Sequence, residues 1–387
     1  MKRIIHSRYF TKLYSEMKVN KEKRSVLFLV QLPPPVHGVG VINRMVWEDK
    51  DLLPEWDRDL LELRFSKRTS QLKRVGISKI FSFLIIWLKL LGKCMTRRYQ
   101  YAYFSIVPVS IGFYRDLCYV ALIKAFHIKP IYHIHLSGIR TASRKNIARF
   151  FYQWAFSNAI IIHPSEKVSR MEFDNLTLKN AKILIQPNGI DGSNGTIKPS
   201  QTETGAGLRI IHMSHLYKFK GLDILLSVFY DLVSDGHDIH LDIVGDKAER
   251  SVYKTILKYL DNPVTRERVK WHGLVTGKSK QVILDNADIL AYTSINDIFP
   301  LIILEAMKSR LPIVASNIGA MSEILEDQIS GLLFEAGNKV QLKEKLELLI
   351  SDPGLRKSIS EQAKTRYVAN FTSQHFQHGM QRIFERL

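Results

Sequence analysis

The sequence holds only two cysteines, Cys94 and Cys118, and they form no spaced cluster. That scarcity excludes a disulfide-stapled scaffold and a thiolate zinc site, and points to a reducing compartment. No stretch reaches the roughly 18 to 20 uninterrupted apolar residues that a spanning helix requires. The nearest, 80-IFSFLIIWLKLLG-92, is interrupted by Lys89 and followed by Lys93, Arg97 and Arg98, and reads as a helix covering a sheet, the alternative being that residues 77–98 add to a surface that lies on an anionic leaflet. The basic N-terminus lacks the apolar core and cleavage site of a secretory signal, so a cytoplasmic location is expected. Acid is scarce in one half only. Residues 1–200 contain 33 Lys/Arg against 14 Asp/Glu, whereas residues 201–387 contain 23 of each, so the net charge of +19 arises in the first half. That half should seek anionic partners. With no recognised nucleic-acid module, nucleic acid is not expected among them. An acidic membrane leaflet at the inner face of the cell membrane and phosphorylated substrates fit better.

What is present is a repeated alternation. At 387 residues the length favours two domains. The short apolar run 26-VLFLV-30 meets the turn-rich 31-QLPPPVHGVG-40, and a helical pattern follows. Similar runs recur at 101–107, 131–136, 159–163 and 182–186, and again at 209–213, 239–245, 268–273, 288–293 and 312–316. Strands that are apolar throughout suit parallel sheets covered on both faces. The expected architecture is two doubly wound α/β domains facing each other across a cleft at the carboxyl ends of their strands. Their predicted bounds are 25–190 and 208–370, joined by a Gly/Ser/Thr/Pro-rich linker over 191–207. A C-terminal helix over 371–387 is expected to pack back across both domains. In residues 1–24, Ile5, Tyr9, Leu13 and Met17 recur at helical spacing among basic residues, a pattern suited to an anionic leaflet, the alternative being a disordered or intramolecularly packed tail.

The chemistry concentrates in 296-NDIFPLIILEAM-307. A strand ends before this stretch, and Pro300 sits where a first helical position favours it. Glu305 then lies about 7.5 Å along the helix axis. The free amides of the first turn make an anion site. A diphosphate there would leave a sugar near Asp297 and a ribose near Glu305, which suggests a sugar nucleotide; an ordinary amphipathic helix with a surface Glu is the alternative.

This segment resembles the second-domain signature of retaining glycosyltransferases of family 4, in which an acid, seven residues and a Glu precede Ala-Met. Phe299, Pro300, Leu304, Glu305, Ala306 and Met307 match, and Asp297 stands where that family usually has Glu. The resemblance continues at Gly319 and Glu323, at 331-GLLF-334, at 214-SHLYKFKGLDILL-226 and at 187-PNGID-191. It implies the GT-B fold, retention of anomeric configuration, and no metal or other cofactor. It further implies that Lys220 neutralises the donor diphosphate, with His215 where the family commonly has Arg. His135, at the end of a strand that also bears His133, would lie near the reacting sugar, a satisfied core histidine being the alternative. Gly38 and Gly40, in 37-HGVG-40, match the family's glycine loop, a tight turn being the alternative. Asp297, His135 and Lys220 are thus the candidate catalytic residues. His215, Lys220, Phe299, Pro300, Leu301, Glu305, Gly38 and Gly40 are the candidate donor-binding residues.

The expected partners are a nucleotide diphosphate-sugar donor and a glycan or lipid-linked saccharide acceptor, in the synthesis of a cell-surface polysaccharide. The alternative is a GT-B partner protein that binds nucleotide-sugar without turnover. Two other motifs are discounted. In 273-GLVTGKS-279 the first glycine is one residue too close to Gly-Lys-Ser for a phosphate-binding P-loop. The acids of 57-DRD-59 follow no apolar strand and read as a solvated loop.

Overall fold

Strands with no polar face must be covered on both sides, and β1 (Ser25–Val30) is buried at all six positions. The computed structural model of the protein describes residues 23–34, 37–64, 77–191, 207–246 and 249–387. The amphipathic stripe proposed within residues 1–24 and nearly all of the linker at 191–207 lie outside the described residues. β1 belongs to a six-stranded sheet with β2 (Asp57–Glu62), β3 (Tyr101–Phe104), β4 (Lys129–His133), β5 (Ile160–His163) and β6 (Lys182–Ile185). Its order is β2-β1-β3-β4-β5-β6, and all pairings are parallel. A second six-stranded parallel sheet contains β7 (Leu208–Met213), β8 (Ile239–Val244), β9 (Val269–Trp271), β10 (Ile289–Tyr292), β11 (Ile313–Ser316) and β12 (Leu332–Phe334). Its order is β12-β11-β10-β7-β8-β9.

Helices connect the strands. In the first domain they are α1 (Gly38–Glu48), α2 (Ile77–Thr96), α3 (Ser110–Ala125), α4 (Ile139–Ala142), α5 (Asn146–Phe156) and α6 (Glu166–Phe173). In the second they are α7 (Leu222–Ser234), α8 (Arg250–Leu260), α9 (Gly277–Asp285), α10 (Leu301–Lys308), α11 (Met321–Ile324), α12 (Lys339–Ser351) and α13 (Pro353–Asn370), and α14 (Ser373–Glu385) closes the chain. Alternate residues of each strand feed opposite faces. Leu27, Leu29 and Phe104 pack with Ile86 and Leu90 of α2 and Phe113 of α3. Val26, Phe28 and Tyr103 pack instead with Ile42 of α1 and Phe376, Met380 and Phe384 of α14.

The last helix therefore completes the first domain's core although it follows the second domain in sequence. Its entry is fixed where the two crossings meet. Ile190 N–H donates to Phe371 O at 3.0 Å and Ser373 N–H donates to Ile190 O at 2.7 Å. The Tyr367 hydroxyl donates to Ile190 O at 3.1 Å.

Residues 57–59 correct the sequence reading: they open an edge strand, not a solvated loop. β2 carries no apolar signature there because each charge is neutralised in place. Asp57 pairs with Arg97, Asp59 pairs with Lys93 at 2.6 Å, and the Arg58 guanidinium lies 4.8 Å over the Trp47 ring. A strand at a sheet edge can solvate one face, so hydrophobic runs do not mark it.

Phe384 is fully enclosed, 5.9 Å from the Trp56 ring and 6.2 Å from that of Tyr103. Phe384→Ala is expected to remove on the order of 3–5 kcal/mol from the stability of the first domain, read as a lower urea midpoint for the intrinsic fluorescence change.

Candidate functional site

The strand orders dictate where a site can form. In the second sheet the chain runs β7-β8-β9 in one direction and returns to place β10 on the other side of β7. The loops leaving β7 and β10 therefore diverge from adjacent strand ends and leave a crevice between them. Lys220 lies on the first loop and Asp297 on the second, and the two form an ion pair. The loops are also joined through the backbone. Ile295 N–H donates to Phe219 O at 2.8 Å, and Thr293 Oγ1 donates to Gly221 O at 2.9 Å. Gly221 adopts the left-handed conformation, and a Cβ there would stand 2.0 Å from Thr293 O. No other residue permits this approach. Beneath the acid, the Tyr292 hydroxyl donates to Asp297 Oδ2 at 2.5 Å. Lys220 meets the same oxygen, so Oδ1 is the oxygen that neither partner uses. Burial and the neighbouring Asp297 hold the Tyr292 phenol well above its usual range, so it stays a donor.

α10 begins just beyond. Pro300 is its N-cap with extended backbone, and no side chain caps the helix. Pro300 thus precedes the first turn instead of opening it, and the amides of Leu301 and Ile302 are the ones presented at the tip. Phe299 is buried against the Phe371 ring at 6.1 Å, which anchors the approach to the helix. Gly319 supports the other side: its φ is +53°, and a Cβ there would lie 2.1 Å from Asp297 O. Glu305, about one turn into α10, pairs with Lys280 of α9.

Across the cleft stand the ends of the first sheet. His135 follows β4; its Nε2 is shielded and meets no partner within the protein. Burial, reinforced by His163 and His37, depresses its pKa to about 3. It shares a side with His133, the rings 4.1 Å apart, and His133 Nδ1 is bonded to the Tyr103 hydroxyl at 2.5 Å. Among the described residues, no group of three or more His, Cys, Asp or Glu side chains is placed to hold a metal ion.

The glycine segment departs from expectation. Gly38 and Gly40 lie in the first turn of α1 and not in a loop. Gly40 N–H is already donated to His37 Nδ1 at 3.0 Å, so it is not free to hold a phosphate. Gly38 instead faces the other domain, where a Cβ would sit 3.6 Å from Leu301 Cδ1. His37 and His215 approach one another across the cleft, each lowered in pKa chiefly by burial. For His215 the ammonium of Lys220 adds to the effect. His215 is therefore neutral at pH 7 and can offer a hydrogen bond but not a charge.

Among the described residues, polar contacts that sequence reasoning missed span the domains, one of them from Lys167 Nζ to Ser322 Oγ at 3.1 Å. Ser137, two residues after His135, donates through Oγ to Asn296 Oδ1 at 2.6 Å. Glu323 Oε1 accepts from Lys167 N–H at 2.8 Å at the start of α6. Tyr292 and Lys280 were also missed. Tyr292 ends an apolar strand and looks like core, while Lys280 lies beyond the discounted Gly-Lys-Ser with nothing in its spacing to connect it to Glu305.

Two facing doubly wound domains with the cleft at their strand ends define the GT-B fold. The family model described as glycosyl transferases group 1 matches residues 194–366. The glycosyltransferase MJ1178 of Methanocaldococcus jannaschii is 27% identical over 274 residues, covering 70% of this chain and 72% of that protein. N-acetyl-alpha-D-glucosaminyl L-malate synthase of Bacillus anthracis is 28% identical over 167 residues, 43% of this chain and 42% of that one. Among solved structures, Anabaena Alr3699/HepE in complex with UDP superposes with a TM-score of 0.71 at 16% identity, covering 94% of this chain and 100% of that chain. Over residues 194–366 the chain is thus similar to the group 1 glycosyltransferases.

The buried histidines carry a pH signature. His163 and His212 are each depressed to about 4, chiefly by burial. Their native pKa values lie below the unfolded value of about 6.5, so the unfolded chain binds protons first. The stability they contribute is complete above about pH 6.5 and is lost as pH falls toward 4. The melting temperature should decline over that window, and less steeply in His163→Gln; an equal slope would refute the assignment.

Proposed function

We propose that the protein is a retaining glycosyltransferase of the family 4 type. It would transfer a hexosyl group from a nucleotide diphosphate-sugar to a hydroxyl of a glycan or lipid-linked saccharide, in the synthesis of a cell-surface polysaccharide. The observation that carries this reading is the convergence of Lys220, Asp297 and the uncapped tip of α10 at one end of the crevice, with Glu305 farther along the same helix. A leaving diphosphate needs positive potential where its charge grows as the bond to the anomeric carbon breaks. Lys220 supplies a full charge there and the amides of Leu301 and Ile302 supply dipoles. His215, held neutral, adds a hydrogen bond. Glu305 would accept from the ribose hydroxyls, Asp297 from the donor sugar through Oδ1, and His135 would face the reacting centre. No step in this scheme calls for a metal.

The bond broken is anomeric carbon to diphosphate oxygen, and its electron pair leaves with the nucleotide. The bond formed is anomeric carbon to acceptor oxygen, and the hydroxyl proton is released with the products. Water in the cleft would compete with the acceptor, so domain closure is expected to exclude it. The basic first domain, facing the acceptor, fits a substrate held at the anionic inner face of the cell membrane.

Lys220→Ala is expected to lower kcat/KM for donor turnover by about 100-fold or more, because the leaving charge loses its counterion. Glu305→Ala should mainly raise the donor KM, by about tenfold, since a ribose contact is uniform binding. Donor hydrolysis assays and calorimetry with uridine, guanosine and adenosine diphosphates check both; a parent protein that binds none of the three removes the reading.

A further inference from the structure

A helix that covers a sheet needs one apolar side only. α2 has two. Ile86, Leu90 and Cys94 are buried against the sheet, yet Ile80, Phe81, Leu84, Ile85 and Leu88 are exposed on the other side, Phe81 at 65%. The pattern continues on its neighbours. Phe83 of α2 lies 5.5 Å from Tyr119 of α3, and Lys124 of α3 donates to Trp154 O of α5 at 2.7 Å, so the three helices lie side by side. α3 exposes Ile111 and Tyr114, and α5 exposes Ile147 at 77% and Phe150 at 64%. Isolated exposed apolar residues need no explanation, but a layer spread over three adjacent helices marks an interaction surface.

Charge identifies the occupant. Residues 77–165 contain twelve Lys/Arg and a single acid, Asp116. That acid is buried and pairs with Arg115 at 2.7 Å, so it gives the surface no negative potential. Exposed Lys89, Arg98, Arg144 and Lys145 stand among or beside the apolar side chains. A second copy of the chain would bring one basic face against another, which like-charge repulsion opposes. An acidic bilayer supplies both complements at once, acyl chains for the apolar side chains and headgroup phosphates for the lysines and arginines. Among the described residues, no helix is long and apolar enough to cross a membrane. The surface is therefore suited to lying on a leaflet and not to spanning it.

We propose that the outward face of α2, α3 and α5 is a docking surface for an anionic lipid bilayer. This deepens the membrane reading given above, but vesicle binding is read without sugar transfer, so the two can fail separately. The full chain is sedimented with vesicles of phosphatidylglycerol and phosphatidylcholine, and with vesicles of phosphatidylcholine alone. Binding is expected to the anionic vesicles and to weaken in about 0.5 M NaCl. The combined variant Phe81→Ser, Leu84→Ser, Leu88→Ser should bind about tenfold more weakly, as should Ile147→Ser with Phe150→Ser. Both should melt at the parent temperature, because the replaced side chains are exposed. Asp297→Ala should bind as the parent does. No binding to anionic vesicles, or undiminished binding by both surface variants, overturns the proposal. So does a parent dimer in sedimentation equilibrium that either surface variant dissolves, since a second copy would then be the occupant.

Discussion

Everything in the cleft depends on two loops being held together at the point where the second sheet reverses its strand order. Parallel strands end side by side, so loops leaving β7 and β10 start as neighbours and must then separate to reach their helices. Left to themselves, loops of this kind would be the mobile part of the domain. Here the backbone bond from Ile295 N–H to Phe219 O, the hydroxyl of Thr293 on Gly221 O and the Lys220–Asp297 pair join them. The contact works only because Gly221 has no side chain to separate them. One consequence is that the entropy of ordering the two loops is met in folding.

Burial also limits the charge that the histidines of the two domains carry. It keeps His133, His135, His163, His212 and His215 below their ordinary range. Lys220 is the cation that the two joined loops bring directly against Asp297. A site with several cations would bind any phosphate tightly, ground state and product alike. Lys220 and Lys280 are each compensated, by Asp297 and Glu305, so neither presents an unpaired charge. The partial exposure of Lys220 and Asp297 keeps their pair from the full desolvation penalty of a buried one.

The sequence made the interior strands legible because burial on both faces writes an uninterrupted apolar run. β1, β5 and β10 are read this way to within a residue. Edge strands escape the rule: β2 looks like a charged loop because its carboxylates find Lys93 and Arg97 from α2 and the turn after it, partners more than thirty positions away. The site divides similarly. Asp297, Phe299 and Glu305 share a local spacing that a helix start explains. Tyr292 and Lys280 act through contacts that only the tertiary structure creates, and the helical placement of Gly38 and Gly40 follows from His37 capping α1. Local patterns report local geometry, and ion pairs between separate elements leave no such pattern.

The two halves of the chain then divide the physical labour. The second domain is charge-balanced and carries the loops and the helix tip that would hold a small polar ligand. The first is strongly basic, and the layer formed by α2, α3 and α5 covers its sheet while leaving apolar side chains outside. A domain whose purpose was only to cover one side of a cleft would gain solubility by placing acids on that layer, as the second domain does on α12 with Glu344 and Glu347. Their absence from α2 and α5 keeps the potential of that face positive and its hydration weak. Both properties favour approach to a negative, partly apolar boundary over remaining in bulk water. α14 ties the opposite face of the same sheet to the donor side: it enters from the second domain at Thr372 and seats Phe376 and Phe384 under β1 and β3. A first domain resting on a leaflet would leave its partner free to swing about the crossings at 190 and 371–373. Closure over a donor would then bring the loaded helix tip toward the membrane-facing half, and not the reverse.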